Sequence, residues 1–425
     1  MGLESAVQGL LVAVLVGLLI AKLRAPKLKL PPGTVALPIV GNWLQVGDDL
    51  NHRNLAEMSK KYGDVFMLKM GQRNLVMVSS PEAAKEVLHT QGTEFGSRER
   101  NVVYDILIGN GQDMVFAVYE EDWRKMRRIM TVPFFTSKVV QQSRGTWEDD
   151  ALRVVEELRT RPEASTTGVV IRNRLNSMMY NSIYRLMFDR RFENEEDPLF
   201  LRLKALNGGR SRLAQKGVPG GPGPAPGGLQ RTLRGRTQET VRDDGTKPDG
   251  EKAAIYLILE AQRKGEISED NLLYIVENIN VAAIETMLWS IEGGVAELVN
   301  NPDIQTRVSE ELDHTLGKGN LITELDTYNP KHWDQPGRFM PERFSGNNIE
   351  VSGGDFRFLP FGSGRRSCRS IIIAMPLLTI VLSRLVQSMG QLSPPGMKKV
   401  DVAEKGGQFS RHIATRSTMV CKPIA

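Results

Sequence analysis

Apolar residues recur along much of the chain with the period of an α-helix. In the longest such run, residues 268–301, charged residues are sparse between Val276 and Ile291. Ser268 followed by two acidic residues is typical of a helix N-terminus, and two asparagines before Pro302 are typical of a helix end. We therefore predict one buried helix of about 32 residues, roughly 48 Å long.

Shorter patterns predict the rest of a mainly α fold with small β-sheets. Alternation over residues 64–80 predicts a strand hairpin. Helical spacing occurs in several other stretches: around Leu55–Tyr62, after Pro81, over 147–161, over 171–188 and over 371–389. The last of these holds about a dozen consecutive apolar residues, which predicts a buried helix too short to span a membrane.

The N-terminus carries a different signal. Residues 6–21 are apolar apart from Gln8, and four cations follow at once: Lys22, Arg24, Lys27 and Lys29. A cleaved signal peptide has its positive charge before the apolar run, so this order favours a retained membrane anchor at 1–24. The positive-inside rule leaves the body of the protein in the cytosol. The basic, proline-rich stretch 25–35 predicts a stiff tether.

Residues 216–252 are rich in Gly, Pro and charge and contain few apolar side chains. Such a segment buries too little surface to offset its ordering entropy, so we expect disorder there. The remaining sequence from 36 to 425 is expected to form the functional domain.

Composition excludes some classes of protein. Among 425 residues, 55 Lys and Arg against 50 Asp and Glu give a net charge of +5. The charges are interspersed, which indicates a mildly basic face for an acidic partner or membrane rather than a nucleic-acid stripe. Two cysteines cannot form a disulfide framework. Cys421, in a strand-like stretch, is expected to be structural.

The other cysteine lies in the stretch Phe361–Ser370, FGSGRRSCRS, directly before an apolar helix. A lone cysteine is most often a small buried hydrophobe. Here the helix N-terminus and three nearby arginines favour the thiolate of Cys368. A glycine-rich dinucleotide loop is the alternative, but it needs an acidic residue about 20 positions later. No Asp or Glu occurs between Phe356 and Val400, so this alternative is rejected.

This loop resembles the haem loop of cytochromes P450, F-x-x-G-x-R-x-C-x-G. Phe361, Gly364, Arg366 and Cys368 match it, while Ser370 replaces the last glycine. The resemblance implies that Cys368 is the iron ligand of haem (iron protoporphyrin IX). It also implies that Phe361 packs beside the loop, that Gly364 permits its turn and that Arg366 pairs with a propionate.

Three further stretches carry the same resemblance. Trp123 and Arg127 in WRKMRR match the family's propionate contacts, although such a pair is more often a solvated cationic face. AAIET, 282–286, matches its oxygen-activating turn, with Glu285 and Thr286 as acid and hydroxyl. A mid-helix threonine usually bonds the carbonyl four residues earlier, here that of Ala282. FMPERF, 339–344, matches the segment before the haem loop.

Longer stretches, including VENINVAAIETMLWSIE and EKGGQFSRHI, resemble the plant trans-cinnamate 4-hydroxylase family of P450 monooxygenases. The resemblance implies para-hydroxylation of trans-cinnamate with O2 in phenylpropanoid synthesis. It implies electrons from NADPH through cytochrome P450 reductase, and a single-pass anchor in the endoplasmic reticulum membrane. It places substrate contacts at seven residues: Arg210, Ser211, Arg212, Leu213, Ala214, Gln215 and Ala282. Arg210 or Arg212 suits the substrate carboxylate, and a solvated arginine pair is the open alternative.

One family feature is missing. Between Asp326 and Tyr328 the family has a helix bearing Glu-x-x-Arg and strands lining the pocket, and this sequence passes straight over them. Arg343 of the PERF stretch is therefore expected to lose its partners, at a cost of about 3–5 kcal/mol for a broken buried network. The alternative hypothesis is a membrane-anchored, non-catalytic remnant, or a faulty gene model, that cannot hold haem.

Overall fold

The computed structural model describes residues 29–46, 52–99, 113–216, 233–235, 237–239, 253–315, 333–335, 338–344, 349–405, 412–413 and 415–424. The predicted anchor at 1–24 lies outside these residues, as does most of the predicted disordered segment. The chain divides into two compact units, residues 1–83 and 84–425, and each is described by itself.

The first unit contains a strand hairpin, as the alternation predicted. Its helices are α1 (Trp43–Val46) and α2 (His52–Tyr62), and its strands are β1 (Val65–Met70) and β2 (Arg73–Val78). The strands pair antiparallel, with Val65 opposite Val78 and Met70 opposite Arg73. Phe66 and Leu68 are fully buried in a small core with Val46. The unit boundary falls within the short helix α3 (Pro81–Lys85).

The second unit is mainly helical. A π-helical turn, Glu86–Thr90, is followed by α4 (Glu121–Phe134), α5 (Ser137–Thr160), α6 (Pro162–Ser165), α7 (Ile171–Phe188), α8 (Pro198–Lys216), α9 (Ala254–Arg263), α10 (Glu269–Asn300), α11 (Pro302–Thr315) and α12 (Ile371–Ser388). Its short strands are β3 (Val169–Val170), β4 (Met389–Leu392), β5 (Glu404–Lys405), β6 (His412–Ile413) and β7 (Thr418–Pro423). The sheet order is β3-β7-β4, with a separate β5-β6 pair, all antiparallel.

Helix α10 is the predicted long helix, and its 32 residues match the expected length. Its first turn is closed by a capping box: Ser268 Oγ accepts from the Asn271 backbone N–H at 3.1 Å, and Asn271 Oδ1 accepts from that of Ser268 at 3.2 Å. Its buried side chains pack against α7 and α12. The helix therefore forms the middle of the core, where it can hold one wall of a site rigidly.

Helices α10 and α12 are both long and apolar enough to cross a membrane by length and composition. The apolar stretch of α12 was predicted to be too short to span a membrane. The helix has 18 residues, however, so its length does not exclude a membrane-spanning helix. Its packing against α5 and α10 assigns it to the core instead.

Cys421 lies on β7 and is 1% exposed. Burial raises the pKa of its thiol to about 11. Both observations agree with the structural role predicted for this cysteine.

Candidate functional site

The cysteine loop connects a short 3₁₀ turn, Gly364–Arg366, to the start of α12. The backbone N–H of Cys368 donates to the Phe361 carbonyl at 2.8 Å, which closes the loop on itself. The Cys368 side chain is exposed. The loop therefore presents a free sulfur just ahead of the helix N-terminus, as the sequence predicted.

Gly364 fixes where this loop can lie. Its φ of +67° is in the left-handed region, and a Cβ there would overlap the carbonyl oxygen of Leu88 in the π-helical turn. Only glycine meets both conditions. The loop backbone therefore lies directly against the turn.

Arg366 ties the loop to a distant part of the chain. Its guanidinium donates to the carbonyls of Gly96 at 2.7 Å and Val115 at 3.3 Å, and also to that of Ala117. It stacks on the Trp123 ring, 4.5 Å from the centroid. Burial, with help from Arg98 and Arg127, lowers its pKa to about 10. The Arg366 guanidinium therefore hydrogen-bonds to backbone oxygens. Its pairing with a haem propionate stays a prediction.

Trp123 and Arg127 lie one turn apart on α4 and support the same loop. Trp123 Nε1 donates to the Met114 carbonyl at 2.8 Å, and Arg127 Nη2 donates to the Ser367 carbonyl beside the cysteine. Burial, and then the charge of Arg369, lowers the pKa of Arg127. Its Nε is buried without a hydrogen-bond partner among the described residues.

A cavity of about 580 Å³ separates the cysteine loop from α10. Its lining includes Cys368 and Phe361 from the loop and Ala282, Ala283 and Thr286 from α10. An adjoining cavity of about 220 Å³ shares Cys368 and Arg98 with the larger one, and its lining also includes Arg127 and Asn278. The larger volume falls within the range of about 300–1,000 Å³ that is usual for ligand pockets.

These residues fit a haem group. A single exposed sulfur meets the cavity, as a thiolate-ligated iron requires. The small side chains of Ala282 and Ala283 leave room opposite it. Arg98 and Arg127 line the smaller cavity and would bring positive charge to the propionates of a bound haem. The donor set and the cavity therefore agree with the cofactor that the sequence implied.

Thr286 and Glu285 face different surroundings, although the sequence analysis paired them. Thr286 is exposed to the larger cavity, and its hydroxyl donates to the Ala282 carbonyl at 2.5 Å. Glu285 is not among the residues lining either cavity. Adjacent positions on a helix do not share a face. The structure therefore brings Thr286 and Cys368 to one cavity and leaves Glu285 beside it.

Glu285 instead belongs to a buried charge cluster. Arg172 on α7 forms an ion pair with Glu285, and another with Glu292 at 3.4 Å. Glu292 also accepts the Ser417 backbone N–H at 3.0 Å. Arg172 lies 5.9 Å from the centroid of the Trp289 ring. One guanidinium thus balances two carboxylates that lie about two turns apart on α10.

The predicted substrate contacts are only partly described. Ala282 lines both cavities. Residues 210–215 lie in the last turns of α8, and their side chains are outside the described part of the chain.

Asn278 is a residue of the site that the sequence patterns did not predict. Its side chain is 9% exposed and lines the smaller cavity, and its Nδ2 has no hydrogen-bond partner among the described residues. Asn278 lies four residues before Ala282 and hence on the same helix face. That spacing was the available signal, but burial and an unpaired donor are visible only in the structure.

The cysteine loop and α4 also line an open, basic pocket with a volume of about 670 Å³, which we call the concave basic surface. Its charged residues are Arg124, Arg127, Arg128, Arg365 and Arg369. This cluster agrees with the mildly basic face predicted from composition.

Comparison with protein families gives one match, to the Cytochrome P450 model, over residues 31–226, 229–327 and 327–419. The trans-cinnamate 4-monooxygenase of Populus kitakamiensis is 53% identical over 498 residues, covering 99% of this chain and 98% of that protein. The Petroselinum crispum trans-cinnamate 4-monooxygenase is 52% identical, with the same coverage of both chains.

Solved structures agree in fold. A zebrafish cytochrome P450 with abiraterone matches with a TM-score of 0.74 and 23% identity, covering 88% of this chain and 100% of that one. Another structure of a zebrafish cytochrome P450, with progesterone, matches with a TM-score of 0.69.

Replacing Gly364 with alanine should displace the cysteine loop. The left-handed backbone should cost about 1–2 kcal/mol, and the overlap with Leu88 about 1–3 kcal/mol more. Gly396→Ala is the matched control, because Gly396 has a φ of +84° and nothing within 4 Å of its Cβ position. Chemical denaturation of the two variants should show the larger loss for Gly364→Ala. Equal losses would contradict the close approach to Leu88.

Removing Arg172 should destabilise the second unit. Arg172→Met leaves two carboxylates without their guanidinium, so the free energy of unfolding should fall by about 3–5 kcal/mol. Arg174→Met on the same helix is the control. Arg174 is more exposed and pairs with Glu157 at 2.6 Å, a pair expected to contribute no more than about 1 kcal/mol. Similar losses for both variants, measured by urea denaturation, would refute the buried cluster.

Proposed function

The chain belongs to the cytochrome P450 family, and on that premise we propose that it para-hydroxylates trans-cinnamate as a haem-thiolate monooxygenase. The observation that carries the proposal is that Cys368 and Thr286 of α10 line the same ligand-sized cavity. Relatives with 53% identity over almost their whole length are trans-cinnamate 4-monooxygenases, which supports this substrate.

Haem is the cofactor of this family, and when bound it activates O2 with electrons delivered by a reductase. We propose that the Cys368 thiolate holds its iron and that Arg98, Arg127 and Arg366 balance its propionates. Phe361 is half-buried beside the loop and packs against the core. Gly364 sets the position of the loop, and Trp123 supports Arg366 by stacking.

We propose that Thr286 delivers protons into the cavity and that Glu285 supplies these protons. Thr286 lines the cavity, and its hydroxyl can rotate away from the Ala282 carbonyl to hold or donate a proton there. Glu285 is next in sequence, lines neither cavity and is held by Arg172, so it must first leave that ion pair to reach Thr286. The ion pair between Arg172 of α7 and Glu285 thereby controls when the Glu285 carboxylate can contact Thr286.

We propose that the substrate carboxylate is held at the polar end of the smaller cavity. Asn278 offers a buried, unpartnered amide donor there, four residues from Ala282. Arg210 or Arg212 adds the balancing charge in this proposal, with Ser211, Leu213, Ala214 and Gln215 completing the contacts. Ala282 contacts the substrate from the wall of the cavity.

Electrons are proposed to come from NADPH–cytochrome P450 reductase docking at the concave basic surface. Four of its arginines, Arg124, Arg128, Arg365 and Arg369, lie next to the cysteine loop. A cluster of one charge sign steers an acidic partner and orients it. An electron entering there has a short path to the sulfur side of the site.

We propose that residues 1–24 anchor the chain in the endoplasmic reticulum membrane, that 25–35 tether it, and that the haem domain spans 36–425 in the cytosol. The apolar run and the cations that follow it support this arrangement. In this proposal the anchor is a single pass.

We also propose that the Glu-x-x-Arg segment is missing near residue 327. The family match breaks at this residue, and the 498 positions aligned with a relative exceed the 425 residues of the chain. The expected loss of the Glu-x-x-Arg partners of Arg343 stays a prediction, and in the structure Arg343 contacts backbone carbonyls. Its guanidinium donates to the carbonyls of Asp334 at 2.7 Å, Arg338 at 2.8 Å and Gln335 at 3.2 Å.

Haem binding is tested by the absorption spectrum of the reduced protein with CO, using membranes that contain the full chain. We expect a Soret band at the position typical of thiolate ligation, and 4-coumarate from trans-cinnamate when NADPH and reductase are supplied. Cys368→Ala should abolish both. Cys421→Ala, at the buried cysteine, should retain both. A wild-type chain without any band would refute the proposal and favour the non-catalytic remnant.

Asn278 is tested by steady-state kinetics. Asn278→Leu keeps the side-chain size but removes the amide, so KM for trans-cinnamate should rise about 10- to 100-fold, the effect of one hydrogen bond to a charged group. Cinnamyl alcohol, which has no carboxylate, is the matched control substrate, and its turnover should change much less. Equal changes for both substrates would exclude a carboxylate contact.

A further inference from the structure

The cysteine loop contains one hydrogen bond that its family pattern does not anticipate. Ser370 stands where the pattern has glycine, and its hydroxyl oxygen lies 2.9 Å from the sulfur of Cys368. The contact joins two side chains within the loop and uses no other element. The hydrogen bond to Cys368 therefore depends on which residue stands at position 370.

The backbone at Ser370 accepts a side chain without strain. Its φ of −72° and ψ of −2° lie in the right-handed helical region, where glycine has no advantage. Its carbonyl accepts the backbone N–H groups of Ile373 at 2.9 Å and Ala374 at 2.7 Å in the first turn of α12. The helix start thus fixes the position from which the hydroxyl reaches the sulfur.

The direction of this hydrogen bond follows from the chemistry of an iron ligand. A sulfur that binds a metal does so as the thiolate, so it carries no proton to donate. The hydroxyl must then be the donor and the sulfur the acceptor. A hydrogen bond to a thiolate withdraws electron density from it, and such bonds raise the reduction potential of the bound iron.

We propose that Ser370 is a positioning residue that tunes the iron through Cys368: its hydroxyl donates to the thiolate, makes the iron easier to reduce and weakens the electron donation of the sulfur. This inference rests on the proposed haem-thiolate function. Ser370 lines both cavities beside Cys368, so the donor lies at the surface that a bound haem would cover. The effect on O2 chemistry is opposite to that on reduction, because cleavage of the O–O bond benefits from a strongly donating sulfur.

The test compares Ser370→Ala, Ser370→Gly and Ser370→Thr with the wild-type chain, each loaded with haem. Redox titration should give an equilibrium constant for one-electron reduction about tenfold smaller in the alanine and glycine variants, a shift of about 59 mV to lower potential. The threonine variant keeps the hydroxyl and should stay near the wild type. Resonance Raman spectra should show a higher iron–sulfur stretching frequency in the alanine and glycine variants.

Unchanged potential and stretching frequency in Ser370→Ala would overturn the inference. A change in Ser370→Gly alone would also overturn it, because the Cβ and not the hydroxyl would then be responsible. Failure of the proposed function is distinguishable from both results. A wild-type chain that takes up no haem refutes the function and this inference together, whereas haem-loaded variants with equal potentials refute only the inference.

Discussion

The site depends on how one half-buried guanidinium holds the cysteine loop. Arg366 gathers the carbonyls of Gly96, Val115 and Ala117, which are about 250 positions away in sequence. Charge-assisted hydrogen bonds to backbone oxygens fix both the loop and the segments that they join. Gly364 makes this arrangement possible, because it lets the loop backbone rest on Leu88. The sulfur then reaches the cavity from a rigid support.

Helix α10 separates two kinds of polar chemistry. The face that carries Asn278, Ala282 and Thr286 meets the cavities, with small or uncharged side chains. Glu285 and Glu292 follow Asn278 by 7 and 14 residues and lie near the edge of that face, where Arg172 holds both carboxylates in ion pairs. The ion pairs keep the two carboxylates out of the cavity lining. The part of the lining that α10 contributes is therefore uncharged, although a carboxylate lies one residue away from Thr286.

The sequence predicted secondary-structure elements better than it predicted contacts between side chains. Residues 269–300 and 371–388 were predicted as buried helices because burial imposes a pattern on neighbouring residues, and the pattern around Cys368 identified the family through fixed spacings. The pairing of Glu285 with Thr286 followed from their adjacency in sequence. Arg172 comes from a helix more than 100 positions away, and no local pattern indicates such a partner. Asn278 was missed for a similar reason, since an unpaired buried amide is defined by what surrounds it. The substitution at Ser370 was visible, but its contact with the sulfur required coordinates.

The two cysteines differ in their access to chemical reagents, so cysteine labelling can distinguish haem-free from haem-bound protein. Cys421 is enclosed in β7 with a raised pKa, so it resists alkylating reagents. Cys368 opens onto the cavity, where a reagent such as a maleimide meets it directly. A newly made chain is thus vulnerable to irreversible damage at the one atom that it needs for its cofactor. Early occupation of the cavity protects that atom as well as completing the enzyme.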